Sequence, residues 1–552
     1  MSLHLVAFPA LPEATARVAK AAFKRKGNIY LTIGDALGTL FDGVDFGCLY
    51  AADGKPALSP NLLALVSVFQ FMENLPDRDA ADAVRSRIDW KYALHLALDD
   101  MGFDDSVLSE FRERLAQHAL AQVLFEQVLK RLQALGLVQK GGKQRTDATA
   151  VLAATQTLNR VQLVAETMRL TLEALSDYRP DWLRAIALPH WYERYSLVLS
   201  GFRLPRTKEK QEALALDIGR DGFHLLEALQ RPDVPSQAAS LPELMLLAQV
   251  WQQQFERHDA GLRWRSKADK PPAGEVISTP HDPQAHFTAH GDKTWNGYQV
   301  HWTETCDAER PHLITHVATT AADTRDVELI PVIHAALQKL DLLPSSHLVD
   351  AGYTSGPNVL ASLQDYGVRL IGPLAADGSW QARTPDGFSQ DQFQIDFQKQ
   401  QATCPQGQLS WRWSPSTGPD GRTAVQIEFP PDICQVCELR QRCTKATVRG
   451  RTLQVALDTH ATLQAGRLYQ QTPAFWQEYA LRAGIEGTIS ALVRHDGARR
   501  TRYCGSAKTH VQTLLTAIGV NLRRAALWLM GLRPGTTRPP SLRCLAPAQF
   551  AT

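Results

Sequence analysis

The stretch from residue 295 to 375 constrains the fold most, because two hydrophobic periods alternate within it. The segments "WNGYQVHWTETC" and "HLITHVATTAA" alternate apolar and polar side chains, which predicts paired strands. "DVELIPVIHAALQKL" has the spacing of an amphipathic helix, and "SSHLVDAGY" and "VRLIGPLA" predict two further short strands. The order strand, strand, helix, strand, helix, strand predicts a mixed α/β sheet.

The sequence changes character on both sides of this stretch. "RTDATAVLA" is short and β-branched, which predicts one more strand. Helical periods are predicted for residues 46–140 and 155–265, and again in "AFWQEYALRAGIEGTISALVRH" and "AKTHVQTLLTAIGVNLRRAALWL". Residues 380–455 break both periods with Gly, Pro, Trp and cysteine. Because 552 residues exceed one ordinary core, we expect about two to four domains.

Charge is distributed unevenly along the chain. The formal net charge is only +2, but residues 494–543 contain ten Lys or Arg and a single acid, Asp496. Such a segment suits a phosphate backbone, or else forms a solvated surface. No stretch approaches the roughly 18 unbroken apolar residues of a membrane span, and the N-terminus does not fit a signal peptide. We therefore expect a cytoplasmic protein with no membrane partner and with eight reduced cysteines.

Three acids from distant segments are candidate metal ligands. Asp147 and Asp350 are predicted on strands, and Glu486 shares one helical face with Tyr479 and Arg482. Carboxylates are the ligands that Mg²⁺ prefers, and two such ions can drive an in-line phosphoryl transfer. The alternative is that each aspartate is an ordinary turn or cap residue.

Several quoted segments resemble bacterial insertion-sequence DDE transposases when they are taken together. They are "RTDATAV", "HGDKTWNGYQVHWTETCD", "LVDAGYTS" and "YALRAGIEGTISALVRHDGARRTRYCG", and the helical stretch 77–115 is similar to the domain that precedes the core of such enzymes. The resemblance spans about residues 45–525. It implies an RNase H-like α/β core, with Asp147, Asp350 and Glu486 binding Mg²⁺ or Mn²⁺. It also implies cutting and joining of double-stranded DNA ends by a homodimer.

The resemblance also suggests a domain plan. We expect an unplaced N-terminal segment (1–45), a helical DNA-binding domain (46–140), first core parts (141–154 and 275–380), a helical insertion (155–274), a cysteine-rich insertion (381–455), a last helical core part (456–530) and a tail (531–552).

Basic and aromatic residues near the third acid are candidate DNA contacts. Many such transposases carry a Tyr, Arg, Glu, Lys signature, which Tyr479, Arg482 and Glu486 fit; Val493 stands at the Lys position, and the basic residue Arg494 comes one later. That offset is roughly a quarter turn of helix. The remaining candidates for contacts with DNA are Arg499, Arg500, Arg502, Lys508, Lys293 and Trp295. On a strand, Trp295 also fits a core position.

Four cysteines form a second candidate metal site. Cys404, Cys434, Cys437 and Cys443 have the spacing C-x29-C-x2-C-x5-C. Such a set suits structural Zn²⁺; an iron–sulfur cluster or four unligated thiols are the alternatives. His281, His286, His290 and His301 lack a tight ligand spacing, and we expect them at the surface or in loops.

The function predicted from the sequence is therefore DNA transposition by metal-dependent cleavage and strand transfer. Two alternatives remain at this point. One is a transposase-derived protein that binds DNA without cutting it. The other is a metal-dependent nuclease that has no joining step.

Overall fold

The computed structural model describes residues 2–533 except 4–7, 39, 52, 200–203, 232–233, 235–237, 260, 267, 270, 273, 292 and 419–420. The chain forms two compact units. The first unit contains residues 1–138, 308–314 and 514–552, and the second contains residues 139–307 and 315–513. The predicted tail 531–552 lies outside the described residues from position 534 onwards.

Helices and strands are numbered here in chain order. The α-helices are α1 (Glu13–Ala22), α2 (Ile29–Leu37), α3 (Pro60–Met72), α4 (Asp77–Ser86), α5 (Ile88–Ala93), α6 (Ser106–Gln117), α7 (Leu120–Ala134), α8 (Arg160–Tyr178), α9 (Pro180–Ile186), α10 (Trp191–Tyr195), α11 (Lys208–Ala228), α12 (Pro242–Gln254), α13 (Leu329–Lys339), α14 (Gly356–Tyr366), α15 (Trp380–Arg383), α16 (Pro431–Gln435), α17 (Arg440–Cys443), α18 (His460–Gln470), α19 (Pro473–Tyr479), α20 (Gly484–Arg494) and α21 (Ser506–Leu529). The strands are β1 (Lys143–Leu152), β2 (Phe255–His258), β3 (Gly261–Trp264), β4 (His286–His290), β5 (Lys293–Thr305), β6 (Ile314–Ala321), β7 (Ser346–Leu348), β8 (Arg369–Ile371), β9 (Gln394–Asp396), β10 (Gln401–Thr403), β11 (Arg412–Thr417), β12 (Thr423–Glu428) and β13 (Thr452–Ala456).

The first unit is built from α1 to α7 and most of α21. Helix α3 begins with a Ser59 cap and Pro60 in its first turn, and nearly every residue from Leu63 to Met72 is buried. A helix that is apolar on all faces belongs at the centre of a helical core. In α21, the Asn521 side chain donates to Ile314 O and accepts from Ile314 N, both at 2.7 Å. The two bonds pair the buried Asn521 with backbone that would otherwise be unsatisfied.

A six-stranded mixed sheet forms the centre of the second unit. Its order is β4-β5-β1-β7-β8, with β6 paired to β5. Strands β1 and β5 are antiparallel, whereas β7 and β8 run parallel to β1. Along the chain, β5, β6, α13, β7, α14 and β8 follow one another. The predicted order of strands and helices is therefore confirmed, and so is the mixed α/β sheet.

Helices α8 to α12 pack around a separate apolar cluster centred on Trp251 and Met168. Here the sequence prediction was partly wrong, because the chain turns into the hairpin β2–β3 at residues 255–264. The hairpin covers the cluster with Phe255, whose ring lies edge-on to Trp264 at 4.9 Å. Strands of four residues are too short to show a clear alternation, which is why the helical pattern seemed to continue.

The cysteine-rich stretch forms small sheets of its own. Strands β9 and β10 pair with each other, and β11, β12 and β13 form a three-stranded antiparallel sheet. Their core contains Phe393, Ile427, Phe429 and Val455. Cys404, Cys434 and Cys443 pack against it. This arrangement explains why neither regular period dominates the sequence here: the strands are short and many residues lie in turns.

Candidate catalytic site

Asp147 and Asp350 come from neighbouring parallel strands. Arg145 of β1 pairs with Leu348 of β7. Each aspartate lies two residues beyond its member of that pair, so strand alternation directs both side chains to the same face of the sheet. Asp147 lies within β1, whereas Asp350 lies just after the end of β7. The sequence prediction that a short strand leads to Asp350 agrees with this position.

Arg482 connects two of the predicted acids. Its Nη2 lies 2.9 Å from Asp147 Oδ2, and its Nη1 lies 3.0 Å from Glu486 Oε1. The Arg482 and Asp147 side chains are largely buried, while the Glu486 side chain is 64% exposed. Tyr479, Arg482 and Glu486 do not lie on one continuous α-helix as predicted. A 3-10 turn at residues 480–483 separates α19 from α20, yet the contact between Arg482 and Glu486 is kept.

The charges of Asp350 and Glu486 act on Asp147. Burial raises the pKa of Asp147; the Arg482 charge opposes this, and the charges of Asp350 and Glu486 add to it. Burial also raises the pKa of Tyr479, and the same three acids act in that direction. A buried carboxyl among like charges is a site that favours a cation.

A buried ion pair attaches the segment that carries Arg482 to the sheet. Arg145 of β1 lies 2.6 Å from Glu304 of β5, and both side chains are buried. Arg145 Nη1 also donates to Leu481 O at 2.6 Å, and Thr488 Oγ1 of α20 donates to Glu304 Oε2 at 2.8 Å. Gly484 leaves the necessary room, since a Cβ there would lie 2.0 Å from Arg145 Nη1. The sequence analysis missed this network.

On the other face of the sheet, His301 and Tyr353 form a buried hydrogen-bonded pair. His301 Nδ1 lies 2.6 Å from the Tyr353 hydroxyl, and both residues are fully buried. The expectation that His301 lies at the surface or in a loop was therefore wrong, because His301 belongs to the central strand β5. Burial lowers the pKa of His301 to about 4, so the imidazole is neutral near pH 7.

The carboxylates suit a hard cation by their chemistry, since Mg²⁺ and Mn²⁺ prefer oxygen ligands. Within the part of the chain that the structure describes, however, no three or more His, Cys, Asp or Glu side chains are arranged to hold a metal ion. Arg482 instead lies beside two of the three acids. The residues fit a divalent cation by donor type, and not as a finished ligand shell.

The four predicted zinc ligands line one cavity. Cys404, Cys434, Cys437 and Cys443 all contribute to its wall. The backbone N–H of Gln408 points to Cys404 Sγ at 3.4 Å, and burial raises the pKa of the Cys443 thiol to about 11. Within the described part of the chain, however, these four thiols are not arranged as a group that could hold a metal ion. Zinc is therefore not supported by this arrangement alone.

Two of the predicted DNA contacts, Arg499 and Arg500, lie near the end of β1. Leu152 is flanked by Gly297 of β5 on one side and by Arg500 on the other. Arg499 Nη1 donates to Ala150 O at 3.1 Å. The side chains of Lys293, Arg494, Arg499 and Arg500 are exposed, and those of Trp295, Arg502, Lys508 and Tyr479 are half-buried.

The basic block at residues 494–543 is not one surface. Arg523 donates to Met72 O and Arg524 donates to His312 O, both within the first unit. Arg533 lies over the Trp528 ring at 3.6 Å. Arg538 and Arg543 lie outside the described residues.

Two family models match the chain. "Transposase domain (DUF772)" matches residues 20–114, and "Transposase DDE domain" matches residues 403–526. The second match contains Glu486, while Asp147 and Asp350 lie outside it. No curated protein matches the chain.

Together the two matches indicate an insertion-sequence DDE transposase. The DDE domain implies a nucleic-acid-processing enzyme; such domains in general use a divalent metal, and transposases act on DNA. In the described residues, no helix is long and apolar enough to cross a membrane.

Proposed function

We propose that the second unit is an RNase H-like catalytic core that cleaves DNA ends and transfers a strand, with Asp147, Asp350 and Glu486 as its acids. One observation carries the proposal: Arg482 contacts Asp147 and Glu486 at the sheet face from which Asp350 also projects. The strand order supports it as well. In the sheet, β5 pairs with β6 and runs antiparallel to β1, and the strands β7 and β8 run parallel to β1.

Arg482 has two tasks in this proposal. Without DNA, its guanidinium balances the charges of Asp147 and Glu486. When a phosphate arrives, the same planar donor group can turn to its oxygens, because guanidinium matches phosphate as well as carboxylate. The Tyr479 hydroxyl, beside the same acids, donates to the DNA backbone. Both residues position the scissile phosphate.

The three acids would hold Mg²⁺ or Mn²⁺ once Arg482 has turned away. A divalent ion bound there supplies an activated water or 3′-hydroxyl and neutralises charge on the leaving oxygen. The chain itself contributes a site that is partly shielded from water, because Asp147 is largely buried. In such a setting a charge interaction is stronger than in water.

DNA would reach the acids along the end of β1. Arg499, Arg500, Arg502 and Lys508 follow α20, and Lys293 and Trp295 come from the β4–β5 hairpin. With Arg494 at the end of α20, these residues would contact phosphates and, for Trp295, an unpaired base. The helical residues 46–140 would bind the element ends. A homodimer with one site for each end completes the proposal, together with a cytoplasmic location.

The remaining parts of the predicted domain plan also stay proposals. Residues 155–274 and 381–455 would be insertions in the core, and a structural Zn²⁺ on the four cysteines would stabilise the second insertion. Four thiols are a ligand set that suits structural zinc, and all four contribute to the wall of one cavity.

An excision assay tests the function. A selectable marker flanked by the DNA that borders this gene is supplied with the protein in trans, and the donor junctions are sequenced. Asp350→Asn and Glu486→Gln should abolish excision, whereas Asp341→Asn, which removes an exposed acid paired with Lys140, should not. Purified protein is then given end DNA and target DNA with Mg²⁺.

Cutting with joining supports the transposase. Cutting without joining would favour a nuclease, and binding without cutting by intact protein would favour a DNA-binding role. Full activity of Asp350→Asn would refute the proposed site.

A further inference from the structure

A carboxylate outside the three predicted acids lies beside Asp350. Asp326 is the first residue of a short 3-10 helix before α13. A Cβ built on Gly352 would lie 2.7 Å from Asp326 Oδ2 and 3.1 Å from Asp350 Oδ1. Both carboxylates therefore lie against Gly352, where any larger residue would push them apart.

Strand β5 holds Asp326 in this place. Gln299 Nε2 donates to Asp326 Oδ1 at 2.8 Å. His301, two residues further along β5, has its Nδ1 3.9 Å from the same oxygen. Asn358 of α14 donates both to Val327 O at 2.7 Å and to Tyr353 O at 3.0 Å. One side chain thus ties the residue after Asp326 to the loop that follows Asp350.

Tyr353 fixes the other end of that loop. Its ring is fully buried edge-on to His301, with the ring centres 5.7 Å apart. In the tautomer that carries its proton on Nε2, His301 accepts from the Tyr353 hydroxyl at Nδ1, and its Nε2–H faces Thr320 Oγ1 at 3.4 Å. His301 pairs with Ala148, next to Asp147, so its side chain leaves the opposite face of the sheet.

The loop from Asp350 to Tyr353 therefore wraps around the end of β7. Asp350 lies on one face of the sheet and Tyr353 is anchored on the other. Rotation of Asp350 is limited further by the Gly352 N–H, which donates to Asp350 Oδ1 at 2.8 Å. A carboxylate held in this way needs little reorganisation to bind a cation, which is what precise site geometry requires.

We propose that Asp326, together with Tyr353 anchored on His301, positions Asp350 and adds negative charge beside it that strengthens cation binding by Asp350. Asp326 acts through Asp350 and through the local field, so it is a positioning residue. The inference rests on the proposed function, because it assumes that Asp350 is a catalytic acid.

Cation binding separates this role from a purely structural one. Asp326→Asn keeps an oxygen that accepts from Gln299 and removes the charge, and Tyr353→Phe keeps the ring and removes the hydroxyl. Mn²⁺ titration of each full-length variant by calorimetry should show affinity reduced about 10- to 100-fold for Asp326→Asn, the size of effect expected when a residue outside the ligand shell is changed. Cleavage should need correspondingly more Mg²⁺. Tyr353→Phe should lower the cleavage rate at saturating Mg²⁺ about 10-fold.

Glu328→Gln is the matched control, because Glu328 belongs to the same short helix and pairs with the exposed Arg325. It should leave Mn²⁺ affinity unchanged. Unchanged Mn²⁺ affinity in folded Asp326→Asn, with Asp350→Asn inactive, would overturn this inference and leave the proposed function standing. If Asp350→Asn cuts DNA as well as the parent, the proposed function itself fails.

Discussion

Arg482 Nη2 lies 2.9 Å from Asp147 Oδ2, although the two residues are 335 positions apart in the chain. The pair joins the central strand of the sheet to the helical segment that carries Glu486. In the proposed function, this guanidinium would serve the site both without DNA, paired with Asp147, and with DNA, bound to a phosphate.

Arg482→Lys should therefore lower DNA cleavage about 100-fold while leaving the fold intact. Lysine keeps the charge but has a single donor centre, and it cannot contact Asp147 and Glu486 with two nitrogens. Single-turnover cleavage at saturating DNA measures the effect. Arg494→Lys, at the exposed end of α20, is the control and should stay within about 3-fold of the parent. If Arg482→Lys cleaved DNA as fast as the parent, the two-nitrogen contact of Arg482 with Asp147 and Glu486 would be unimportant for cleavage.

The buried pair of Arg145 and Glu304 should contribute to the stability of the second unit. Arg145→Ala removes the cation that lies 2.6 Å from the buried Glu304 carboxylate and should cost about 3–5 kcal/mol. The exposed pair of Lys140 and Asp341 has the same kind of contact at 2.7 Å, yet Lys140→Ala should cost less than about 1 kcal/mol. Urea denaturation followed by Trp fluorescence compares the two. If both variants lost the same free energy of unfolding, burial of the Arg145–Glu304 pair would not make its loss more costly.

The sequence predicted the parts of the fold that repeat over many residues. The strands around residues 295–375 and the long α21 were recognisable because each shows several periods of its pattern. The hairpin β2–β3 was missed because four-residue strands show at most two alternations. The break between α19 and α20 was missed because 3-10 and α-helical segments share nearly the same spacing.

The sequence could not predict how the site is assembled. Asp147, Asp350 and Glu486 were singled out by their neighbours in the chain and by resemblance, but their relation to Arg145, Glu304 and Tyr353 depends on strand register. Asp326 had no local signal at all, because an acid at the start of a short helix is ordinary. His301 was misplaced because a polar residue on an alternating strand is normally expected at the surface. Here a buried hydroxyl satisfies it.

Asp147→Asn should change the pH dependence of stability in a defined direction. Burial raises the pKa of Asp147 in the folded protein above its ordinary value, so the native state holds this proton to higher pH than the unfolded chain does. Ionisation of Asp147 therefore costs stability as the pH rises from its ordinary pKa through the raised one. The asparagine variant avoids that cost. Its stability relative to the parent should be lowest near pH 4 and should rise to a plateau at neutral pH.

Thermal unfolding in chelator at pH 4, 5, 6 and 7 measures this difference. Asp341→Asn, which removes an exposed carboxylate, is run in parallel. A relative stability of Asp147→Asn that falls with pH would contradict the expected sign.

Arg500→Ala should weaken DNA binding and lower its salt dependence. Arg500 is exposed beside Leu152 at the end of β1, and each lost phosphate contact reduces the slope of log K against log salt by about 1. Arg533→Ala is a control from the same basic block, because Arg533 already stacks on Trp528 and bonds its carbonyl. Fluorescence anisotropy from about 50 to 200 mM salt gives both slopes. An unchanged slope for Arg500→Ala would contradict the proposal that DNA passes along the end of β1.

The four cysteines that line one cavity give a prediction that needs no activity. If the cavity binds zinc, purified protein should contain about one zinc per chain, and Cys437→Ser should lower both the zinc content and the melting temperature. Cys504→Ser, which changes an exposed cysteine elsewhere, should alter neither. Elemental analysis and absorption spectra decide between the alternatives: bound iron with visible absorption indicates an iron–sulfur cluster, and absence of both metals indicates unligated thiols. Since all four thiols line one cavity and Cys404, Cys434 and Cys443 pack against a small core, loss of a bound metal should unfold residues 381–455 first.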